Sequence, residues 1–175
     1  MKISELSFRQ ISAAAAVASL GLLAYGYYLQ YFDAQDPCPL CIVQRLFFFG
    51  VMIVLGAAAL HGPARAGRVA YSIVAFILAL GGLATATRQV WLQHLPADQV
   101  PACGPSLDYM VRNYPFSRML HLLLRGSGQC AEVHWRFLGL SIAEWSWLWF
   151  AGFAALALAL ALRNWGQAPN SAARN

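Results

Sequence analysis

Charge is what this sequence has least of. Asp, Glu, Lys and Arg make up 11% of its 175 residues, against about 25% in an ordinary soluble domain. The shortage argues against a surface built to face water on all sides. The net charge of +5 does not read as a nucleic-acid surface, because the arginines are scattered and form no patch interleaved with exposed aromatics. No phosphate-cradling glycine loop, dinucleotide fingerprint, zinc-protease helix or serine-nucleophile elbow occurs, which removes the enzyme classes those motifs carry. No internal repeat or low-complexity segment stands out. His61, His121 and His134 stand at no ligand spacing, and no metal site is expected. Cysteine is scarce as well: there are four, and none lies inside an apolar run.

What is abundant is apolar sequence, 59% of the chain. It falls into four stretches, about Ile11–Phe32, Ile42–Leu60, Val69–Thr87 and Ile142–Leu162. Each is near the ~20 residues a helix needs to cross ~30 Å of hydrocarbon, and a helix satisfies its own backbone amides there. The first stretch exceeds the ~7–15 apolar residues of a signal peptide and has no small-residue cleavage site after it, so it is read as a span. The expected fold is all-α: an integral membrane four-helix bundle forming a single domain over residues 1–175, with connecting loops at about 33–41 and 88–141.

Four spans place both termini on one side. That side holds Lys2, Arg9, Arg65, Arg68, Arg163 and Arg174 in short segments beside helix ends, where the positive-inside bias acts. The opposite side begins with a loop carrying Asp33 and Asp36 and no basic residue. The termini are therefore expected in the cytoplasm and the two loops on the exoplasmic face.

All four cysteines, Cys38, Cys41, Cys103 and Cys130, fall on that second face, where disulfides persist. This suggests two pairs, Cys38 with Cys41 and Cys103 with Cys130. For the second pair a structural staple is an open alternative, since joining residues 27 apart in sequence restricts the unfolded chain. Cys38-Pro-Leu-Cys41 closes too small a ring to restrict much, and its spacing is that of redox pairs. A zinc site is the other alternative, but it wants a second close pair or nearby histidines. Pro37 and Pro39 are expected to keep the chain extended before the helix starts. Cys41 then lies at a helix N-terminus, where the dipole favours a thiolate. Arg45, four residues on, shares its face. A cation there is mismatched with the dipole and costly near hydrocarbon, which points to a role in holding negative charge on the Cys41 sulfur or on an acceptor beside it. The alternative is a side chain snorkelling to the interface.

Three segments, "PCPLCIVQR" at 37–45, "ACGPSLDYMVR" at 102–112 and "CAEVHWRFLGLSIAEWS" at 130–146, resemble the DsbB family of bacterial disulfide bond formation proteins. The resemblance covers nearly the whole chain. It implies a multi-pass protein of the bacterial inner membrane, with cytoplasmic termini and periplasmic cysteine loops. It also implies oxidation of a DsbA-type periplasmic thioredoxin-fold partner, with electrons passed to a membrane quinone, ubiquinone or menaquinone. By motif, Cys103 would take the partner's attack and Cys130 would attack Cys38. Cys41 would face the quinone with Arg45 supporting the charge. A quinone-linked alternative, the vitamin K epoxide reductase-like proteins, carries its Cys-x-x-Cys toward the last helix, whereas here the motif opens the second span. A non-enzymatic membrane protein with two structural disulfides is the alternative from another class.

Other polar positions yield weaker expectations. "RQVWLQH" is expected to bring Gln89 and His94 to the same membrane surface, and His94 is a candidate at the quinone site by resemblance. Trp135 matches a family tryptophan or anchors at the surface, while Trp145, Trp147 and Trp149 read as an aromatic belt. "PFSRMLHLLLRGSG" at 115–128 predicts a short surface-lying helix with Ser117 as N-cap and Gly126 past its end. Residues 97–106 suit an extended strip that a partner's groove could grip. The run "AGFAALALALAL" predicts close helix packing, and the tail "QAPNSAARN" is expected to be disordered.

Overall fold

The computed structural model describes residues 7–33, 37–105, 107–133 and 135–166; Lys2, His134 and the 167–175 tail lie outside them. Among the described residues four helices are long and apolar enough to cross a membrane: α1 (Phe8–Phe32), α2 (Pro39–His61), α3 (Arg65–Gln93) and, after the long connection, α6 (Ile142–Trp165). The protein is an all-α, multi-pass membrane protein.

Local sequence sets the ends of these helices. Ser7 and Gln10 form a reciprocal capping box at α1, and Ser141 and Glu144 form another at α6, each satisfying amides that the first turn leaves orphaned. Cys38 is the N-cap of α2 with Pro39 in the first turn, where a proline loses no helical bond. The expectation that the chain stays extended before the helix holds at Cys38, whose φ is −64° and ψ 163°, and the helix begins at Pro39 itself. Gly62 ends α2 with φ of 54°, a left-handed conformation that costs glycine little. α3 runs on to Gln93, past Thr87 where its apolar run ends. That extra turn and a half carries Gln89 into the bundle.

α1 packs on α2, α2 on α3, and α3 on α6. In lipid such contacts depend on close fit rather than on escape from water. The core accordingly sets many small residues around the buried rings of Phe48, Phe150 and Phe153. Phe48 and Phe150 stack with centroids 4.0 Å apart, among Ala75, Ala79, Ala154 and Ala157. A Cβ on Gly82 would lie 2.2 Å from the Phe150 ring, so only glycine admits that ring. The close packing expected of the small-residue run in α6 is present. Apolar residues such as Val17, Ile53, Leu60 and Ile77 stay exposed on the flanks that lipid would cover.

The α2–α3 turn lies at the same end of the bundle as the start of α1 and the end of α6. There Arg9 donates to the carbonyl of Ala59, Arg65 to those of Asn164 and Trp165, and Arg68 to that of Pro63. These carbonyls are at or just beyond helix C-termini, where cations match the dipole.

The other end carries the α1–α2 connection and the long α3–α6 connection. The latter holds a 3-10 turn (Ala97–Gln99), α4 (Leu107–Asn113), α5 (Phe116–Arg125), a second 3-10 turn (Gly128–Cys130) and a small hairpin, β1 (Arg136–Phe137) with β2 (Leu140–Ser141). Neither α4 nor the hairpin was expected. The hairpin turns on Leu138 and Gly139, both with positive φ, as tight two-residue hairpin turns require. α5 starts two residues earlier than expected. Its N-cap is Pro115, and Ser117 makes no cap bond. Leu123 and its neighbours Met119 and Leu122 pack on Val43 and Phe47 of α2, while Phe116 and Leu124 remain exposed.

Candidate functional site

The start of α2 is the pivot. Its N-cap Cys38 accepts the backbone N–H of Cys41 on its sulfur at 3.4 Å, a capping bond with sulfur in the role usually taken by oxygen. The Cys38 thiol in turn donates to the Cys41 sulfur at 2.9 Å. One turn of helix thus delivers both sulfurs of the Cys-x-x-Cys pair to one spot. All four cysteines are thiols here.

On one flank of the pair stands Cys130, fully buried and clustered with Cys38, Leu40 and Leu92. The second 3-10 turn places it, through a bond from the Cys130 N–H to the Ser127 carbonyl at 2.8 Å. The hydrogen bond from Cys38 holds the Cys130 sulfur down to about 6 against its burial, helped by the backbone at Ser127 and Leu40. Sharing its one hydrogen between Cys130 and Cys41, and itself buried, Cys38 is pushed far above the ordinary thiol range. The pair divides its protons unequally: Cys130 is the sulfur prepared to carry charge, and Cys38 the one that keeps its hydrogen.

Cys103 is exposed. Its strip lies against the same 3-10 turn, with the Gly128 N–H bonded to the Ala102 carbonyl at 3.4 Å. A Cβ on Gly128 would sit 2.6 Å from the Pro101 carbonyl and 3.4 Å from the Cys103 sulfur, so the missing side chain lets the strip approach. Cysteine thus runs inward from exposed Cys103 to buried Cys130 and then to Cys38 and Cys41. The pairing of Cys103 with Cys130 suggested by sequence is only part of this arrangement, because Cys130 also touches Cys38.

On the other flank, Cys38 and Cys41 line a cavity of about 490 Å³ between α1, α2, α3, α6 and the long connection. Leu22, Leu29, Phe48, Trp145 and Trp149 supply apolar wall, and Gln44, Gln89 and Arg45 supply polar groups. Size and lining match sites for small, mostly apolar ligands held by a few polar groups. Arg45 lines this cavity but is tied to α1. It donates to the carbonyl of Gly26 at 2.9 Å and to Gln30, and stacks over the Tyr27 ring at 4.8 Å.

Gln89 and Gln44 are the residues that sequence reasoning underrated. Gln89 is 4% exposed and Gln44 3%, facing each other across α2 and α3. Gln44 donates to the Gln89 Oε1 at 2.7 Å, and Gln89 Nε2 donates to the sulfurs of Cys41 at 3.3 Å and Cys38 at 3.4 Å. The signal was available for Gln44 alone, since it lies inside an apolar run, where a glutamine asks for a partner; Gln89 lies past the end of its run.

His94 does not line the cavity. It is the C-cap of α3, its ring bonded to the Val90 carbonyl at 2.8 Å on the exposed side; Gln89 and Gln93 of the same helix reach the cavity instead. Trp135 does line it, edge-on to Tyr25 at 6.0 Å. The expected aromatic belt divides: Trp145 and Trp149 face the cavity, and Trp147 bonds to Thr87. Among the described residues no group of His, Cys, Asp or Glu is arranged to hold a metal ion.

Comparison with known proteins gives one family. The model described as disulfide bond formation protein DsbB matches residues 8–160. The chain is similar to disulfide bond formation protein B of Hahella chejuensis, 50% identical over 86% of this chain and 92% of that one. It is 46% identical to the protein of that name from Stutzerimonas stutzeri and 44% identical to disulfide bond formation protein B 1 of Pseudomonas aeruginosa, in both cases over 89% of this chain and 95% of the relative.

Proposed function

Because the chain belongs to the disulfide bond formation protein B family, we propose that it oxidises a thioredoxin-fold dithiol protein of the DsbA type on the periplasmic side of the bacterial inner membrane, and passes the electrons to a membrane quinone. The observation that carries this reading is the position of Cys38 and Cys41, with Cys130 on one side and an apolar cavity on the other.

Exposed Cys103 is the sulfur a bulky partner can reach. In a Cys103–Cys130 disulfide, attack by the partner's thiolate on Cys103 breaks that bond, forms a mixed disulfide and releases Cys130 as thiolate. The low proton affinity of Cys130 makes it a good leaving group. The partner's second thiol then displaces Cys103, and the partner departs oxidised, two electrons and two protons poorer. Cys130 lies beside Cys38, so its thiolate can attack a Cys38–Cys41 disulfide there, forming Cys130–Cys38 and releasing Cys41. Cys103 closes the cycle by attacking Cys130, which restores the Cys103–Cys130 bond and leaves Cys38 and Cys41 as a dithiol.

A quinone fits the cavity by its chemistry: apolar walls for ring and tail, and amide and guanidinium groups for the two carbonyl oxygens. When bound it supplies a two-electron, two-proton acceptor, which lets the Cys38–Cys41 disulfide re-form. Cys41 presents its sulfur to the cavity, Arg45 and Gln44 contribute polar groups to the wall, and the surrounding rings exclude water. Ubiquinone and menaquinone both carry the two ring carbonyls that Arg45 and Gln44 would hold.

The test is quinone consumption by the purified protein with a reduced thioredoxin-fold dithiol protein and short-chain ubiquinone, followed by absorbance. Turnover should appear with the wild type and vanish in Cys41→Ser. No consumption by the wild type, or equal turnover by the variant, overturns the assignment.

A further inference from the structure

We propose that Gln89 is a catalytic residue of this redox centre: its side-chain amide carries the negative charge of the Cys41 sulfur during electron delivery, with Gln44 holding that amide in place. The inference deepens the proposed thiol–quinone function and rests on it.

A buried amide in an apolar helix costs free energy unless its polar atoms are bonded. The bonds Gln89 makes are directed at the reacting atoms. Its Nε2 lies 3.3 Å from the Cys41 sulfur and 3.4 Å from that of Cys38, and its Oε1 accepts from Gln44 at 2.7 Å. One N–H-bearing nitrogen therefore serves both sulfurs of the pair. Gln44, three residues after Cys41 on α2, fixes the amide from the opposite side, so α2 and α3 each contribute half of the clamp.

The cation that sequence offered for this task is engaged elsewhere. Arg45 is committed to α1 through the Gly26 carbonyl, Gln30 and the Tyr27 ring. A neutral amide suits the position better on energetic grounds. It donates to sulfur when charge develops there, yet leaves no permanent charge in the bundle when the pair is oxidised. Re-forming the Cys38–Cys41 bond sends two electrons and two protons to the quinone. Cys41 must shed its proton before its electron pair is available, and the Gln89 N–H is placed to meet the charge that appears.

Four proteins test this: wild type, Gln89→Leu, Gln89→Glu and Gln44→Leu. The first readout needs no quinone: alkylation of Cys41 at pH 7 in a background where Cys38, Cys103 and Cys130 are alanine. Gln89→Leu should react about tenfold more slowly, the scale of one hydrogen bond to a charged group, and Gln44→Leu less so. The second readout is quinone turnover in the full-cysteine protein. Gln89→Glu, nearly isosteric and so a guard against misfolding of the leucine variant, should be slow at pH 8, where its carboxylate repels the sulfur. It should recover at pH 6 as the carboxyl regains a proton to donate. A residue that only fills space would not move the pH profile in this way. Wild-type alkylation rates in both Gln89 variants, with an unshifted turnover profile, overturn the inference. Altered alkylation alongside a wild type that consumes no quinone supports the role of Gln89 while overturning the quinone reading.

Discussion

At the scale of single residues, the protein separates two jobs that sulfur does poorly together, leaving and staying protonated. Cys130 is held to about 6 from an ordinary 9.0, chiefly by the hydrogen bond from Cys38. Its folded-state value is depressed, so the contribution to stability is fully present above the ordinary thiol value and is lost as pH falls through about 6. Alkylation of Cys130 in a reduced protein with Cys41 and Cys103 replaced by alanine should therefore titrate near 6. Adding Cys38→Ala should move the midpoint upward; an unmoved midpoint would deny Cys38 its role. Arg45 makes a separate prediction. Arg45→Ala should fold, since its partners on α1 are a carbonyl, an amide and a ring, but should raise the quinone KM about tenfold, the loss expected of one charge-assisted contact. An unchanged KM would leave Arg45 as an α1–α2 tie alone.

Among the secondary-structure elements, two glycines decide how closely pieces approach. Gly82 on α3 meets Phe150 of α6, and a methyl there would collide with a ring that is fully buried and stacked on Phe48. Gly82→Ala should destabilise the bundle by about 1–3 kcal/mol, the usual cost of overpacking, read as a lower melting temperature in detergent. Gly126, just past α5, has φ of 75°, and a Cβ would lie 2.8 Å from Leu92 and 2.9 Å from Leu40. Gly126→Ala combines the strain of a backbone conformation essentially reserved to glycine, about 1–3 kcal/mol, with a push on the two leucines that wall in Cys130. It should slow turnover more than it lowers the melting temperature, because the turn carrying Cys130 shifts while the four long helices stay packed. Equal effects on both would place Gly126 in general stability.

For the whole molecule, the cysteines and the cavity lie at one end of the bundle, and Arg9, Arg65 and Arg68 tie helix ends together at the other. If the arginine end is cytoplasmic, as the positive-inside bias predicts, an impermeant maleimide applied to intact spheroplasts after reduction should modify Cys103, the exposed cysteine. A modification that requires broken membranes would invert the topology.

The sequence by itself determined the class of the molecule. Four runs of apolar residues can hide their backbones in lipid only as helices, and cysteines absent from those runs must sit at their ends. Cys38-Pro-Leu-Cys41 was legible because a helix start fixes two sulfurs within a single turn, a local matter that spacing encodes. Gly126 was legible for the same reason. Contacts between helices were not, since they depend on rotation about each axis, which hydropathy leaves open when every face is apolar. Gln89 therefore seemed to lie at a surface beside His94, and only the packing of α3 against α2 turned it toward the sulfurs and left the histidine outside. Arg45 shares a face with Cys41 in sequence, yet α1 offered its guanidinium a carbonyl and an amide. Cys130 reached Cys38 across more than ninety residues of chain because a buried turn, invisible to periodicity, brought it there. Local geometry belongs to the sequence; which polar group meets which sulfur belongs to the packed structure.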